Sequence, residues 1–447
     1  MLTFGSEPPG LKDQHLAGPV VIGGRMAMHR AGAGLTPEFP SPIERLDSID
    51  IITEEAAVQM PGAQTTRVTP LVQEGDLIAK GAAVACLRHA PDICLVAPIA
   101  GRVAQISVIP GRRLSEIVLF REDQGGIQRH GTVSSESPAA LRRLMQAAGV
   151  WPWIRRRPFG GMPAPNEAPA AIVVMAADTR PYAPSPMQAL EGREEAFARG
   201  LAALGQISRG PVFVCWPRGM PAMQLPTTIP DVRWISCGSR HPQASPGIRI
   251  HRDIPAGLDT PVWDMHAEDV AALGDLLETG ELPMQRRIRI SGAGLREGRS
   301  LRTHPGADLR QLTQHIVASG PHILMSGGHL DGRAARWLGQ RHRQVTVLPR
   351  TAQQQRRHWL IHALTKSATL RPVIPTAALT QSFGAVLPAP ALIRALGAGD
   401  SEAAMALGAL SLLEDDVALA DYVLGAGGEI MLQLRSLLDH IQAEYAG

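Results

Sequence analysis

Between Trp151 and Tyr182 the chain gathers the side chains with the most chemistry to offer. Trp151, Trp153 and Phe159 frame three consecutive arginines, Arg155, Arg156 and Arg157. Flat apolar rings suit an aromatic ligand or a partner's hydrophobic anchor. Guanidinium groups hydrogen-bond a carbonyl or pair with carboxylates. The same residues also fit a solvated basic loop held down by aromatic anchors. Further on, Ala170 to Ala177 is an unbroken run of small and β-branched apolar residues. That pattern suits a strand buried on both faces, as in a parallel sheet under helices. The run stops at Asp178-Thr179 and several prolines, so Asp178 to Tyr182 forms a loop at the strand's carboxyl end. An open α/β sheet holds its ligand there. The candidate surface is therefore Trp151, Trp153, Arg155, Arg156 and Phe159 together with Asp178 and Tyr182. Docking of a partner is favoured over direct ligand contact, because three adjacent arginines cannot all face one small pocket.

Composition narrows the classes. A chain of 447 residues is long enough for about three domains, with 45% hydrophobic and 19% charged residues. A net charge of +3, evenly spread, gives no case for nucleic acid. Only Lys12, Lys80 and Lys366 are lysines, so nearly all positive charge is arginine, which reads as codon bias before phosphate recognition. Cys86, Cys94, Cys215 and Cys237 form no CxxC, so neither structural zinc nor an iron–sulphur cluster is signalled. A disulfide between Cys86 and Cys94 across a hairpin is conceivable, while four scattered thiols suggest a reducing cytoplasm. The start carries no apolar segment of secretory type. No window is apolar enough to span a membrane. If the chain belongs to a membrane complex, it docks peripherally.

The elements that must position these residues follow in order. Residues 1–64 are rich in Gly, Pro and Ala and read as an extended arm. Residues 65–125 carry short β-rich runs between turns at Glu74-Gly75-Asp76, Lys80-Gly81, Pro98 to Gly101 and Pro110-Gly111, the pattern of a small all-β module. Residues 135–285 alternate helical and strand patterns, which predicts a parallel sheet of Rossmann-like type. Expected helices are Ser137 to Gly149 and Met187 to Leu204. Expected strands are Gly210 to Trp216, Asp231 to Ser236 and Gly247 to His251. Val262 to Glu278 is expected to form one helix ending at Gly280. Residues 286–350 open with a strand at Arg287 to Ser291, a turn and a second strand. A helix capped by Asp308 follows. Gly292-x-Gly294-x-x-x-Gly298 has the wrong spacing for a dinucleotide fingerprint. The histidines are dispersed without metal-like periodicity, except His358 and His362 at i, i+4, which lack an acidic third ligand. Residues 351–447 read as helical. Their acidic group, Glu414, Asp415, Asp416 and Asp421, reads as a solvated helix face before a docking site.

The run GVWPWIRRRPFGGMPAPNEAPAAIVVMAADTRP resembles the A-subunit family of sodium-translocating NADH:quinone oxidoreductases. It is more distantly similar to the C-subunit of the Rnf complex and to the NADH- and FMN-binding subunit of complex I. The order EGD, KG, AP, G at 65–125 resembles the biotinyl/lipoyl-carrier fold, although the tip Arg88-His89-Ala90-Pro91-Asp92 has no lysine for a swinging cofactor. Residues 286–350 resemble the β-grasp (SLBB-like) module of the same families. The opening Arg-Pro-x-Ile-Pro and the turn Gly399-Asp400 follow the family's helical C-terminal region. The overall expectation is an α/β multidomain chain. The flavin-binding relatives carry a multi-glycine loop before the first strand and acidic residues after it. Trp151 to Trp153 and the arginines stand there instead, and bulky side chains would keep a phosphate from the backbone. Their cysteines correspond here to about Ala420 and Leu424. The resemblance therefore implies a subunit with no cofactor, catalytic or metal-ligating residue of its own. It would sit on the cytoplasmic face of the bacterial inner membrane and contact the complex's membrane-embedded B-subunit. Ubiquinone would be a substrate at or near it, while partner subunits oxidise NADH, carry FMN, FAD, riboflavin and Fe–S centres, and export sodium. The alternatives are a dehydrogenase subunit that binds flavin and NADH, or a purely structural assembly factor of the complex.

Overall fold

The computed structural model describes residues 21–22, 25–26, 32–61, 66–111, 113–131, 137–221, 223, 231–350 and 375–445. Residues 1–31 form a unit of their own, in which β1 (Val21–Ile22) pairs antiparallel with β2 (Arg25–Met26). The second unit, residues 32–447, carries everything below.

It begins with strands, not an arm. Within the stretch read as extended, β3 (Glu44–Asp50) and β4 (Glu55–Val58) join two different sheets. The turns at Gly75, Gly81 and Gly111 then separate β5 (Val68–Pro70), β6 (Leu77–Ile78), β7 (Ala83–Leu87), β8 (Ala90–Val96), β9 (Gly101–Ile109) and β10 (Arg113–Arg121). Each of these glycines takes a positive φ, a conformation that costs other residues a steric clash. They build a sheet ordered β4-β10-β9-β6 and a smaller one ordered β5-β7-β8. Cys86 and Cys94 face each other across β7 and β8 as free thiols, so the conceivable disulfide is not formed.

The α/β part starts with α1 (Pro138–Ala147), whose cap Ser137 accepts from the Ala140 amide. The sheet strands are β11 (Arg155–Arg157), β12 (Ala171–Met175), β13 (Val212–Pro217), β14 (Val232–Cys237) and β15 (Val262–His266). Their order is β11-β15-β12-β13-β14, parallel except for the edge strand β11. All five residues of β12 are buried, as its unbroken apolar run requires. The helices are α2 (Pro186–Leu190), α3 (Glu194–Ile207), α4 (Pro246–Asp253) and α5 (Ala267–Thr279).

Three boundaries differ from the sequence reading. The helix expected from Met187 to Leu204 breaks in two at Gly192, which has φ 73. The segment 247–251 is helix α4, not a strand. Pro246 at its first turn favours the helix, and its alternating Ile248 and Ile250 mimic a period of two. Val262 to His266 is a strand, and only Ala267 onward is helical. His266 caps α5 by accepting from the Glu268 amide, and a continuous apolar run cannot by itself separate the two states.

A six-stranded sheet follows, ordered β19-β18-β20-β16-β17-β3, from β16 (Arg286–Ser291), β17 (Gly298–Thr303), β18 (His322–Ser326), β19 (Arg333–Ala334) and β20 (Gln344–Pro349). Helix α6 (Leu309–Thr313) has Asp308 as its cap. The chain ends in helices α7 (Ala377–Ser382), α8 (Ala389–Ala398), α9 (Ser401–Ala406), α10 (Ala418–Val423) and α11 (Glu429–Tyr445). His358 and His362 lie outside the described residues.

One apolar cluster runs from Val84 and Leu95 of the small β sheets through Leu141 to Trp151, Val174 and Trp263 of the α/β sheet, so these layers share a core. The C-terminal helices enclose a second core around Phe383, Leu392 and Leu438, into which Phe159 inserts. Against the α/β sheet, α3 and α5 cross at glycines. A Cβ at Gly274 would run into the Ala196 carbonyl, and one at Gly200 into that of Val270. Gly274→Val is therefore expected to destabilise by about 1–3 kcal/mol through overpacking. A urea midpoint unchanged from wild type would show that the two helices do not need this close approach.

Candidate functional site

On one side of β12 the chain continues to β13 and β14, and on the other it returns as β15. A parallel sheet whose strand order reverses in this way leaves a crevice beyond the carboxyl ends of the two flanking strands. A cleft of about 430 Å³ opens there, with Ala177 and Asp178 beyond β12 and Met265 and His266 at the end of β15. The six-stranded sheet contributes Ser326, Asp331, Arg341 and His342 to its walls, and the C-terminal helical region contributes Leu413, Glu414 and Asp415. With Ala57, Gln59, Met60 and Pro61 from β4 and the residues after it, four parts of the chain meet at one opening.

The walls are tied by arginine–carboxylate pairs. Arg155 leaves the edge strand β11 and reaches both Asp264 of β15, at 3.2 Å, and Asp415 of the helical region, at 2.9 Å. Asp415 lies well below the usual carboxylate range; burial works against this, and the Arg155 and Arg157 charges overcome it. Arg157, with no exposed side-chain surface, pairs with Asp416 at 2.9 Å and with Asp264. Asp416 also accepts from Ser245 Oγ at 2.5 Å, Gly247 N at 2.8 Å and Leu413 N at 2.9 Å. Every acceptor position of this buried carboxylate that its neighbours can reach is used. Beyond β12, Arg180 joins Asp178 at 2.7 Å to Asp331 of the six-stranded sheet at 2.9 Å. Arg343 joins that sheet to α5, through Glu268 at 2.9 Å and Asp269 at 2.7 Å.

The histidines of the cleft are held neutral. His241 is pushed down to about 4, mainly by burial, and its Nδ1 lies 3.3 Å from Thr179 Oγ1. His342 Nδ1 lies 2.7 Å from Ser326 Oγ, and burial lowers its pKa too. His266 is pushed far down by burial and by the Arg343 charge. Among the described residues no group of His, Cys, Asp and Glu is arranged to hold a metal ion.

Of the residues singled out in sequence, Trp153, Arg155 and Asp178 line the cleft. The others do not. Trp151 is fully buried, edge-on to Trp263 at 5.3 Å, with its Nε1 donating to Pro163 O. Arg156 turns to Glu167 at 3.0 Å. Phe159 belongs to the C-terminal core. Tyr182 donates from its hydroxyl to Phe39 O at 2.5 Å and packs near His329. The aromatic–arginine run is a buried strut, not a presented basic loop. A correction also applies to the acidic group. Asp415 and Asp416 are internal ion-pair partners, and buried Asp421 caps α11 by accepting from the Gly428 and Ile430 amides. A local reading of charge cannot see this, because the partners lie about 260 residues away.

The buried pairing and the neutral histidines can each be tested through stability. Asp416→Ala removes one of the two carboxylates that pair with buried Arg157 and leaves the donors of Ser245, Gly247 and Leu413 unmet, which should cost about 3–5 kcal/mol, whereas Arg157→Met with Asp416→Ala should recover part of that loss. Equal urea midpoints for the single and double variants would refute the pairing. Acid should also destabilise the fold. His241 and His304, both buried, are pushed down to about 4 and stay neutral when folded. The unfolded chain takes up these protons below about 6.5. The unfolded state then binds more protons between pH 6.5 and 4, so stability falls as pH falls through that window. The slope is roughly 1.4 kcal/mol per pH unit for each histidine. His304→Gln should flatten the measured slope by one such increment; an unchanged slope would contradict it.

Residues 137–282 match the family described as NqrA second alpha/beta domain. The chain is 31% identical to the Na(+)-translocating NADH-quinone reductase A-subunit of Alcanivorax borkumensis, over 83% of this chain and 90% of that protein. It is 32% identical to its Pseudomonas aeruginosa counterpart, over 84% and 91%. With the Pasteurella multocida counterpart it shares 30%, over 91% and 98%. A solved NAD+-reducing [NiFe]-hydrogenase overlaps at a TM-score of 0.36 and 13% identity, over 69% of this chain and 64% of that one. Identity of 30–32% over more than four fifths of this chain decides the matter: the chain belongs to the A-subunit family of Na(+)-translocating NADH-quinone reductases.

Proposed function

We propose that the chain is the cofactor-free, peripheral A-subunit of a sodium-translocating NADH:quinone oxidoreductase. In this reading it supports quinone reduction coupled to sodium export by docking on the membrane subunits. Its layers are then a carrier-like β module, a Rossmann-like domain, a β-grasp module and a helical C-terminal domain. The observation that supports it best is Arg155 reaching Asp264 and Asp415 across the switch-point crevice. A nucleotide-binding sheet keeps that place for a phosphate on a glycine-rich turn. Here a guanidinium and two carboxylates span it, and Trp153 lines its wall. The crevice joins layers of the chain, while electron carriers reside in its partners. Among the described residues no helix is long and apolar enough to cross a membrane, which fits a subunit that docks on others. Trp153, Arg155 and Asp178 are the cleft residues that would meet quinone or a partner segment.

The chain purified alone should be colourless, without flavin absorbance or iron. Membranes lacking it should still oxidise NADH with a soluble electron acceptor but lose sodium-dependent quinone reduction. Adding back the purified chain should restore that activity. A stoichiometric flavin spectrum in the isolated chain would establish the dehydrogenase reading instead. Full quinone reduction without the chain would remove its role.

A further inference from the structure

Among the described residues, one half-buried cation of the cleft wall has no ion-pair partner. Arg341 sits in the loop before β20 and lines the cleft. Its Nε donates to Pro152 O at 3.1 Å, and its Nη2 donates to Ile154 O and to Gly161 O at 3.2 Å. Backbone carbonyls fix the guanidinium in place but carry no countercharge. Among the described residues no carboxylate lies within ion-pair distance of it. Asp269 and Asp415 act on it only from further off, and both are already committed, to Arg343 and to Arg155. Burial, and after it the nearby Arg155 charge, push its pKa down to about 9, so it is still a cation at neutral pH. Nη1 makes no hydrogen bond among the described residues and is not sealed from solvent. A half-buried cation in a cleft wall is ordinarily matched by an anion.

Beside its charged neighbours this group also has apolar ones. Arg341 binds the carbonyls on either side of Trp153, and Trp153, Trp337 and Leu338 share the cleft wall with it. The same cleft holds a second unused donor. Nδ1 of His266 accepts from the Glu268 amide, so the ring proton sits on Nε2, which is buried without a partner. The volume of about 430 Å³ is within the range of small-molecule sites.

We propose that the cleft binds a small aromatic anion, with its carboxylate or phosphate group on Arg341 Nη1 and its flat body against Trp153 and Leu338. The site needs no redox chemistry and leaves the Arg155 joint intact. It extends the proposed role in the complex without depending on which partners the chain docks to.

The test uses the full chain and 2-naphthoate, followed by tryptophan fluorescence and by calorimetry. Methyl 2-naphthoate serves as the neutral isostere and inorganic phosphate as the anion without a body. A charge-assisted hydrogen bond gives roughly a 10- to 100-fold preference for the acid over the ester. Arg341→Gln should abolish that preference. Arg341→Lys keeps the charge but loses the fixed fork, and it should bind the acid about ten-fold more weakly. Equal binding of acid and ester to wild type would overturn the proposal without any variant. So would unchanged acid binding by Arg341→Gln, or phosphate binding as tightly as 2-naphthoate. Flavin found in the isolated chain would defeat the proposed role in the complex yet leave this comparison standing, so the two failures are distinguishable.

Discussion

The molecule depends on a buried charge network in which Arg155 and Arg157 hold Asp264, Asp415 and Asp416 together. These five residues come from an edge strand, an interior strand and a short helical turn far along the chain. Taking such charges out of water is costly, and the cost is offset only when nearly every donor and acceptor is met. Asp416 satisfies that condition with two side-chain and two backbone donors. The network therefore tolerates little relative movement between the α/β sheet and the helical region. Arginine suits this role in a way lysine would not, because one planar fork addresses two carboxylates at once. The near absence of lysine, read from sequence as codon bias, has this structural consequence whatever its origin.

Much of the local structure was legible. The caps Ser137 and Asp308 fixed where two helices begin. The run Ala170 to Ala177 announced a strand buried on both faces, and β12 is that strand. Legibility ended where two periods share one composition. Ile248 and Ile250 alternate like a strand yet lie in α4, and Val262 to Glu278 concealed a strand running into a helix. The early Gly- and Pro-rich stretch hid β3 and β4, because both are completed by partners distant in the chain, Gly298 to Arg302 and Ile117 to Phe120.

The site was legible only in part, for a related reason. Trp153, Arg155 and Asp178, singled out because strand ends and aromatic–basic runs carry a local signal, line the cleft. Asp264, Asp331, Arg341 and His342 carry none. Each becomes part of the cleft only when the six-stranded sheet and the helical region close over the carboxyl ends of β12 and β15. Packing of the small β sheets on the α/β sheet buried Trp151, and the helical region buried Phe159, so large apolar surfaces that were available to a ligand in sequence serve two cores in the fold.

Cohesion and binding are thus built into one opening but rest on different chemistry. Arg155 and Arg180 are anchored by carboxylates of other layers, so either could meet a ligand only by giving up a partner and loosening a joint. Arg341 is anchored by carbonyls, which hold the guanidinium without neutralising it. A carbonyl dipole satisfies a donor and leaves the net charge in place. Two groups of the same type in one cleft therefore differ in what they can offer. The first kind holds the layers of the chain together, and the second keeps a charge free for something outside it.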